Sequence, residues 1–255
     1  MPHAFKIELV ASEPLISDPV DMAFDEEGRM YVVEMHGYPL NLSHTGKVIL
    51  LTDKNGDGRM DTRTVFADSL TLPTGVMRWK NGILVTDAPN VFYFEDTTGD
   101  GKADIKRTLL TGFALTNPQY LVNKPLYGLD NWIYLAHEGI EETKIYPKEF
   151  GDTGSDIVYP SQLDAPHLPL NAQGRIVRCK PDELLLEEGS GSTQFGQSFD
   201  EWGHHFLVAN DNHIYQEVIA NRYLKRNPEQ LVGDATESIS DHGQACEVFP
   251  ITINP

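Results

Sequence analysis

Apolar and polar residues alternate over short runs of this chain. Each run ends in a turn rich in Asp, Asn and Gly, and a β-branched or aromatic run follows. Met22-Ala-Phe-Asp-Glu-Glu-Gly28 leads into Met30–Val33, and Val76-Met-Arg-Trp-Lys-Asn-Gly82 leads into Ile83–Val85. Leu126-Tyr-Gly-Leu-Asp-Asn131 leads into Trp132–Leu135, and Gln197-Ser-Phe-Asp-Glu-Trp-Gly203 leads into His205–Val208. A period of two marks a strand with one buried face, and a turn of this composition between two such strands predicts a hairpin. The pattern therefore predicts four hairpins. Helical periodicity is nearly lacking, and the one candidate helix covers Asn221–Gln230.

Between the hairpins lie two copies of one acidic loop. The first is Asp53-Lys-Asn55-Gly-Asp57-Gly58-Arg-Met-Asp61 and the second is Asp96-Thr-Thr98-Gly-Asp100-Gly101-Lys-Ala-Asp104. An apolar run precedes each (Val48–Leu51, Val91–Phe94) and a β-prone run follows (Thr64–Phe66, Thr108–Leu110). A repeat of about 43 residues built from short strands has the length of a β-propeller blade. The expected fold is thus all-β, a β-propeller of about four blades plus the start of a fifth at Ile251–Pro255. Such a segment, residues 1–255, reads as the N-terminal part of a six-bladed-type propeller, incomplete at its C-terminus. Phe5–Val10 would be a strand completing the missing blade. Residues 140–172, rich in Gly, Pro, Asp and Ser, read as an inserted loop region on one rim.

Oxygen-bearing side chains at alternate positions followed by Gly are how a tight loop wraps a hard cation. Asp53, Asn55, Asp57 and Asp61, with Asp96, Thr98, Asp100 and Asp104, are therefore candidate Ca²⁺ ligands. Thr64 and Arg107 stand at the twelfth positions, where an EF-hand carries Glu, so a full EF-hand is excluded. The competing reading is a pair of hairpin turns that need no metal.

Charge narrows the classes. With 38 acidic and 20 basic residues the net charge is −18, which argues against nucleic acid and against docking on anionic lipid. No apolar run approaches the ~18–20 residues of a membrane span. Met1-Pro-His-Ala-Phe-Lys does not read as a signal peptide. Cys179 and Cys246 allow a disulfide or two buried thiols. No Cys-x-x-Cys-His, Gly-x-Gly-x-x-Gly, phosphate loop, Gly-x-Ser-x-Gly or His-Glu-x-x-His occurs, which counts against haem attachment, nucleotide, serine-hydrolase and zinc-hydrolase chemistry.

Three of the nine histidines share a position. His36, His137 and His213 each lie just past the second strand of a predicted hairpin. Stacked in register, they would gather with Glu and Asn on one rim as a convergent site.

Thr64-Val-Phe-Ala-Asp-Ser-Leu-Thr-Leu-Pro-Thr-Gly-Val76, Asn117-Pro-Gln119, Gly128-Leu-Asp-Asn-Trp-Ile-Tyr134 and Phe199-Asp-Glu-Trp-Gly203, with the paired acidic loops, resemble a known family. It comprises large propeller proteins of planctomycetes and verrucomicrobia described as membrane-bound dehydrogenases, distantly similar to soluble quinoprotein glucose and sorbosone dehydrogenases. The resemblance covers essentially the whole chain. It implies a sugar or alcohol dehydrogenase using pyrroloquinoline quinone (PQQ) and Ca²⁺, exported to the periplasm or beyond. Many such relatives continue into helical repeats and a haem-bearing cytochrome c domain.

The resemblance also marks departures. The family's general base follows Asn-Pro-Gln, where Tyr120 stands here. Its supporting Asp falls at Gly139, beside Glu138. The family's quinone-holding Arg-Asn-Pro reads Ser192-Thr-Gln194. A displaced base formed by His137 and Glu138 would have to replace the missing pair, and His36, Gln194 and His213 become the candidate cofactor contacts. Two classes of function stay open: a quinone-dependent oxidoreductase, and a non-catalytic Ca²⁺-stabilised module binding a glycan or a protein. A lactonase-type hydrolase ranks behind both because no complete ligand set can be assigned.

Overall fold

The computed structural model describes residues 6–140, 146–210, 212–227, 229 and 233–240. They form four consecutive four-stranded antiparallel sheets, each a meander whose spatial order follows the chain. The first sheet contains β1 (Pro19–Phe24), β2 (Met30–Glu34), β3 (Gly46–Thr52) and β4 (Thr62–Leu70). The second contains β5 (Gly75–Trp79), β6 (Gly82–Asp87), β7 (Asn90–Glu95) and β8 (Ile105–Thr111). The third contains β9 (Asn123–Tyr127), β10 (Ile133–Ala136), β11 (Val177–Lys180) and β12 (Leu185–Glu188). The fourth contains β13 (Gln197–Phe199), β14 (His205–Leu207), β15 (Tyr215–Glu217) and β16 (Thr236–Ser238). All four hairpins expected from the alternation are present, as β1–β2, β5–β6, β9–β10 and β13–β14.

A turn carboxylate closes three of these hairpins. Asp25 Oδ1 accepts from the N–H of Glu27 (3.0 Å) and Arg29 (2.9 Å), and Asp200 Oδ1 accepts from Trp202 (3.0 Å) and His204 (2.8 Å). Asp130 Oδ1 accepts from Trp132 at 3.3 Å. A short acidic side chain that captures the N–H two residues on makes the turn locally self-sufficient.

Strand parity then assigns the faces. Tyr31, Val33, Val48, Leu50 and Phe66 of the first sheet pack against Val76, Ile83, Val85, Phe92 and Phe94 of the second. The opposite parity, Met30, Val32, Ile49 and Leu51, packs under Ala11, Leu15 and Ile16. Leu84, Val91 and Leu110 of the second sheet meet Ile133, Leu135, Val177 and Leu186 of the third. Tyr134 and Ile176 meet Leu207, Phe199 and Tyr215 of the fourth. Truncating a fully buried leucine such as Leu84 or Leu135 costs ~2–5 kcal/mol. The first strands also touch in sequence: β1 lies against β5, β5 against β9 and β9 against β13.

Three expectations change. Residues 6–10 form no strand, and Ile7 and Leu9 are exposed. They are tied to the first sheet through Met60 N–H donating to Val10 O at 2.9 Å rather than through a ladder. The helix expected over Asn221–Gln230 shrinks to Asn221–Leu224 plus the hydrogen-bonded turn that follows it. Pro228 follows closely, and proline both lacks an N–H and turns its predecessor away from helical geometry. The inserted region, described at residue 140 and from residue 146 onward, packs inward. Its bridges Thr111↔Val158 and Ile157↔Leu168 extend the edge of β8, and Ile157, Tyr159 and Leu168 join the main core. Cys246, the second half of the disulfide alternative, and the strand start at Ile251–Pro255 lie outside the described residues. Cys179 is a buried free thiol, pushed up to about 12 by burial. Among the described residues no helix is long and apolar enough to cross a membrane.

Candidate functional site

In each meander the link leaving the second strand and the link entering the first strand lie at the same end of the sheet. The acidic loops, between third and fourth strands, lie at the other end. The first of these ends carries a cleft of about 500 Å³. Its walls are the starts of the first strands (Val20 and Asp21 of β1, Thr74 before β5, Asn123 and Lys124 of β9) and three links that supply Met35, Tyr38, Pro118, Gln119, Gln194 and Phe195.

Side chains bind these first strands to one another around the cleft. Lys124 Nζ donates to Asp21 Oδ1 at 2.7 Å, joining the third sheet to the first. Val76 N–H donates to Asp21 Oδ2 at 3.0 Å, joining the second sheet to the first. Gln197 Nε2 donates to Lys124 O at 3.0 Å, and Asn123 Nδ2 donates to Gln194 O at 2.8 Å, joining the fourth sheet to the third. Thr74 Oγ1 donates to Val122 O at 2.5 Å.

Gln194 is the unusual member. It is 3 % exposed, and its Oε1 accepts from Asn210 N–H at 3.2 Å. That bond orients the amide. The Nε2 end is closed to solvent and has no protein partner, while the residue itself borders the cleft. A buried amide donor left unbonded costs ~1–3 kcal/mol. Tyr38 and Phe195 flank the mouth at 55 % and 50 % exposure, each presenting an aromatic surface.

The remaining sequence candidates are dispersed. His137 is 1 % exposed, edge-on to Phe113, with Nδ1–H donating to Arg175 O at 2.9 Å. Burial lowers its pKa to about 4, against the opposing help of Arg175 O and Asn171. The turn carrying it and Glu138 is held by backbone contact: a Cβ on Gly139, at φ +96°, would meet Gly174 Cα at 2.6 Å. Gly139 thus permits the chain reversal expected there, but the reversal takes His137 into the core rather than to the cleft. Tyr120 ends a single 3-10 turn, half-buried, with its N–H donating to Asn117 O, while its neighbour Gln119 lines the cleft.

His36 bridges two carboxylates, Asp18 Oδ2 at 2.9 Å and the fully buried Glu34 Oε2 at 3.1 Å, and Arg63 also pairs with Glu34. It lines a separate pocket with His44 and Lys47. His213 is exposed. The expected rim gathering of His36, His137 and His213 therefore divides into a bridging, a core and a surface histidine. Of the residues expected to touch a cofactor, Gln194 is the one the cleft contains.

The sequence reading missed Asp21, Asn123, Lys124, Tyr38 and Phe195. One signal was available: polar residues at the start of three strands whose continuations are apolar. Their convergence depends on how the sheets stack, which periodicity does not report. It also missed a clamp in the fourth sheet. His205, 5 % exposed, sets Nδ1 at 2.9 Å from Glu217 Oε2 and Nε2 at 2.8 Å from Gln197 Oε1. Burial works against the Glu217 carboxylate, but His205 and Ser190 N–H outweigh it and hold its pKa below the usual range.

At the far end, the acidic loops are stitched by their own amides. Asp53 accepts from the N–H of Asn55, Gly56 and Gly58, and Asp96 from Thr98, Gly99 and Gly101. Asp57 and Asp100 accept from Arg59 and Lys102, while Asp61 and Asp104 close the loops onto Lys54 and Thr97. Bonds from Gly58 and its neighbours lower the Asp53 pKa; for Asp96 burial opposes ionisation, and the Gly101, Gly99 and Thr98 donors overcome it. Gly58 and Gly101 sit at φ +84° and +82°, which is why glycine recurs there. Among the described residues no three His, Cys, Asp or Glu side chains form a metal-holding group.

A quinone with several carboxylates, such as PQQ, requires several cationic partners. Among the described residues lining the cleft Lys124 is the single cation, and Asp21 already pairs with it. These residues do not fit that cofactor.

Over residues 1–254 the chain matches the family described as "Domain of unknown function (DUF7133)" and belongs to it. No curated protein matches it. Among solved structures it is similar to the holo form of a pyranose dehydrogenase PQQ domain from Coprinopsis cinerea, at 15 % identity and a TM-score of 0.45, covering 82 % of this chain and 47 % of that one. It is also similar to a calcium structure of a Trichoderma reesei carbohydrate-active enzyme of family AA12 (12 % identity, TM-score 0.47, 82 % and 47 % covered). An iodide structure from the same family and organism gives 16 % identity and a TM-score of 0.40, with 59 % and 37 % covered. The chain spans less than half the length of these structures. The likeness is distant.

Proposed function

We propose that this chain is part of a propeller-type module whose rim cleft binds a small polyhydroxylated molecule, a sugar or an alcohol. The propeller reading is supported by four meanders in series whose first strands touch in sequence and share one polar collar. The binding reading is carried by one observation, a cleft of about 500 Å³ in which the Lys124 ammonium and the Asn123 and Gln119 amides stand beside the exposed rings of Tyr38 and Phe195. Amide and ammonium groups between aromatic walls suit a ligand with an apolar ring face and a hydroxylated edge. Binding rather than quinone-dependent oxidation is the function the cleft supports best, because its charge does not match the quinone.

The test is calorimetric titration of the protein with a panel of monosaccharides, alditols and sugar acids. At least one binds, and Lys124→Met, its fold verified by its melting curve, weakens it about tenfold or more, as expected for a lost charge-assisted hydrogen bond. A panel without a binder, or a binder indifferent to Lys124→Met, overturns the reading.

A further inference from the structure

The clamp around His205 stands behind the cleft and reaches two of its walls. On one side of the ring, Gln197 Oε1 lies 2.8 Å from Nε2, and Gln197 Nε2 donates to Lys124 O at 3.0 Å. On the other side, Glu217 Oε2 lies 2.9 Å from Nδ1, and Glu217 Oε1 accepts from Ser190 N–H at 2.5 Å. Lys124 lines the cleft, and Ser190 stands on the link between β12 and β13 that carries Gln194 and Phe195 to it. The Gln197 amide has its orientation set, because its N–H₂ end faces the Lys124 carbonyl. Both ring nitrogens of His205 therefore face acceptors, an amide oxygen and a carboxylate. Two acceptors require two N–H donors, so the clamp as built contains the imidazolium. Removing one proton breaks it. The remaining N–H stays with the carboxylate, the stronger acceptor, and a lone pair is turned on Gln197 Oε1. Rotating the amide offers an N–H to the ring but sets Oε1 against Lys124 O. In either orientation the line from Lys124 to Glu217 is cut.

We propose that His205 is a proton-dependent latch on the ligand cleft: with both ring protons it ties the Lys124 wall to the link bearing Phe195, and on losing one it releases the tie and weakens binding. This rests on the reading of the cleft as a polyol site and adds its regulation. Water reaches the latch from the far side, where His205 and Glu217 line a separate pocket of about 410 Å³ between the third and fourth sheets. The groups facing the ring leave it as the one that changes charge near neutrality. From β13, Phe199 stacks on it at 4.5 Å, and from β10 the Tyr134 ring stands at 5.1 Å. Burial pushes the Tyr134 hydroxyl up to about 12. Arg178, bonded to that hydroxyl, is paired with Asp130 and Glu187. From β15, Glu217 is held ionised by His205 and Ser190 against its burial. Lys124, beyond Gln197, is paired with Asp21. The neighbouring His204 is bonded to Asp200 in the hairpin turn instead. A ligand that needs the two walls fixed favours the charged ring, so its binding takes up a proton, the reciprocal of the pH effect.

The experiment has a ligand-free arm and a binding arm, both run from about pH 5.5 to about pH 8.5, the range over which an imidazole exchanges its proton. In the first, nuclear magnetic resonance follows the His205 ring nitrogens and the Gln197 side-chain amide. Both nitrogens are expected to carry protons at the acid end and one at the alkaline end, with the Gln197 signals moving at the same midpoint. In the second, calorimetry titrates the protein with the neutral monosaccharides and alditols of the panel, which do not themselves titrate here. Affinity is expected to fall about threefold to tenfold toward the alkaline end, the scale of one hydrogen bond. Heats in buffers of different ionisation enthalpy are expected to show proton uptake. Gln197→Met, its fold verified by its melting curve, is expected to bind at every pH as wild type does at the alkaline end, and His204→Gln to keep the wild-type pH dependence. A His205 ring with one proton throughout, or Gln197 signals blind to its titration, overturns the latch and leaves the polyol cleft standing. So does a neutral sugar whose affinity is flat across the range, or a Gln197→Met protein that keeps the pH dependence. An empty panel removes the cleft reading and its regulation together, and it is told apart from a failed latch by the ligand-free arm.

Discussion

His137 makes the chain acid-sensitive in a way that can be calculated. Its imidazole is buried, with one nitrogen bonded to Arg175 O and the ring against Phe113. Charging it there would strand a cation among apolar neighbours, so its pKa falls from 6.5 to about 4. A lowered histidine pKa means that the unfolded chain binds the proton first. Stability is therefore complete above pH 6.5 and declines as pH falls through the folded value near 4. The displacement corresponds to roughly 3 kcal/mol, at 1.36 kcal/mol per pKa unit. That is a large share of the ~5–15 kcal/mol that holds a typical domain together.

The assay is urea denaturation of wild type and His137→Gln from pH 8 to pH 3.5. Gln lacks the titrating group and keeps an N–H able to reach Arg175 O. Other residues titrate in both proteins and cancel in the difference. The stability gap between the two proteins should be widest near neutrality, with wild type the more stable, and should shrink by roughly 3 kcal/mol toward pH 4. Parallel curves would refute the argument, because they would mean that the ring is solvated or already charged in the folded state.

Two further outcomes test the fold and its loops. Asp87, 3 % exposed, accepts from the N–H of Thr71 (3.0 Å) and Leu72 (2.8 Å), so Asp87→Ala strands two buried donors. It should lower stability by ~2–5 kcal/mol in urea titration, with Asp87→Asn intermediate; a loss below ~1 kcal/mol would show that water replaces the carboxylate. Should the acidic loops hold Ca²⁺, melting rises in millimolar Ca²⁺ over chelator, and Asp57→Ala with Asp100→Ala removes the rise. Identical melts with and without chelator leave the loops as hydrogen-bonded turns.

Local chemistry was legible without the fold. Alternation located all four hairpins because strand parity is a property of the chain itself. The Asp-rich turns could be read because Asp25 and Asp200 bond to amides only two to four residues away. The repeated acidic loops close by the same short-range bonds, so their spacing exposed the repeat. Gln194 was reached from the resemblance, as the residue standing where a cofactor contact is expected.

The meaning of these residues required tertiary structure. His36 and His137 follow the ends of β2 and β10 closely, while β14 ends at Leu207 and leaves His213 just before β15; burial of each then depends on what the next sheet and the inserted loop place over it. Gly139 signalled a turn, and only its contact with Gly174 decided that the turn carries His137 inward. Asp21 and Lys124 are far apart in the chain and 2.7 Å apart in space. Sequence determines which residues alternate, turn and repeat, because those are short-range properties of the backbone. Which polar groups finish satisfied, and which, like Gln194 Nε2, are left buried without a partner, is decided by long-range packing that brings donors and acceptors from four sheets together.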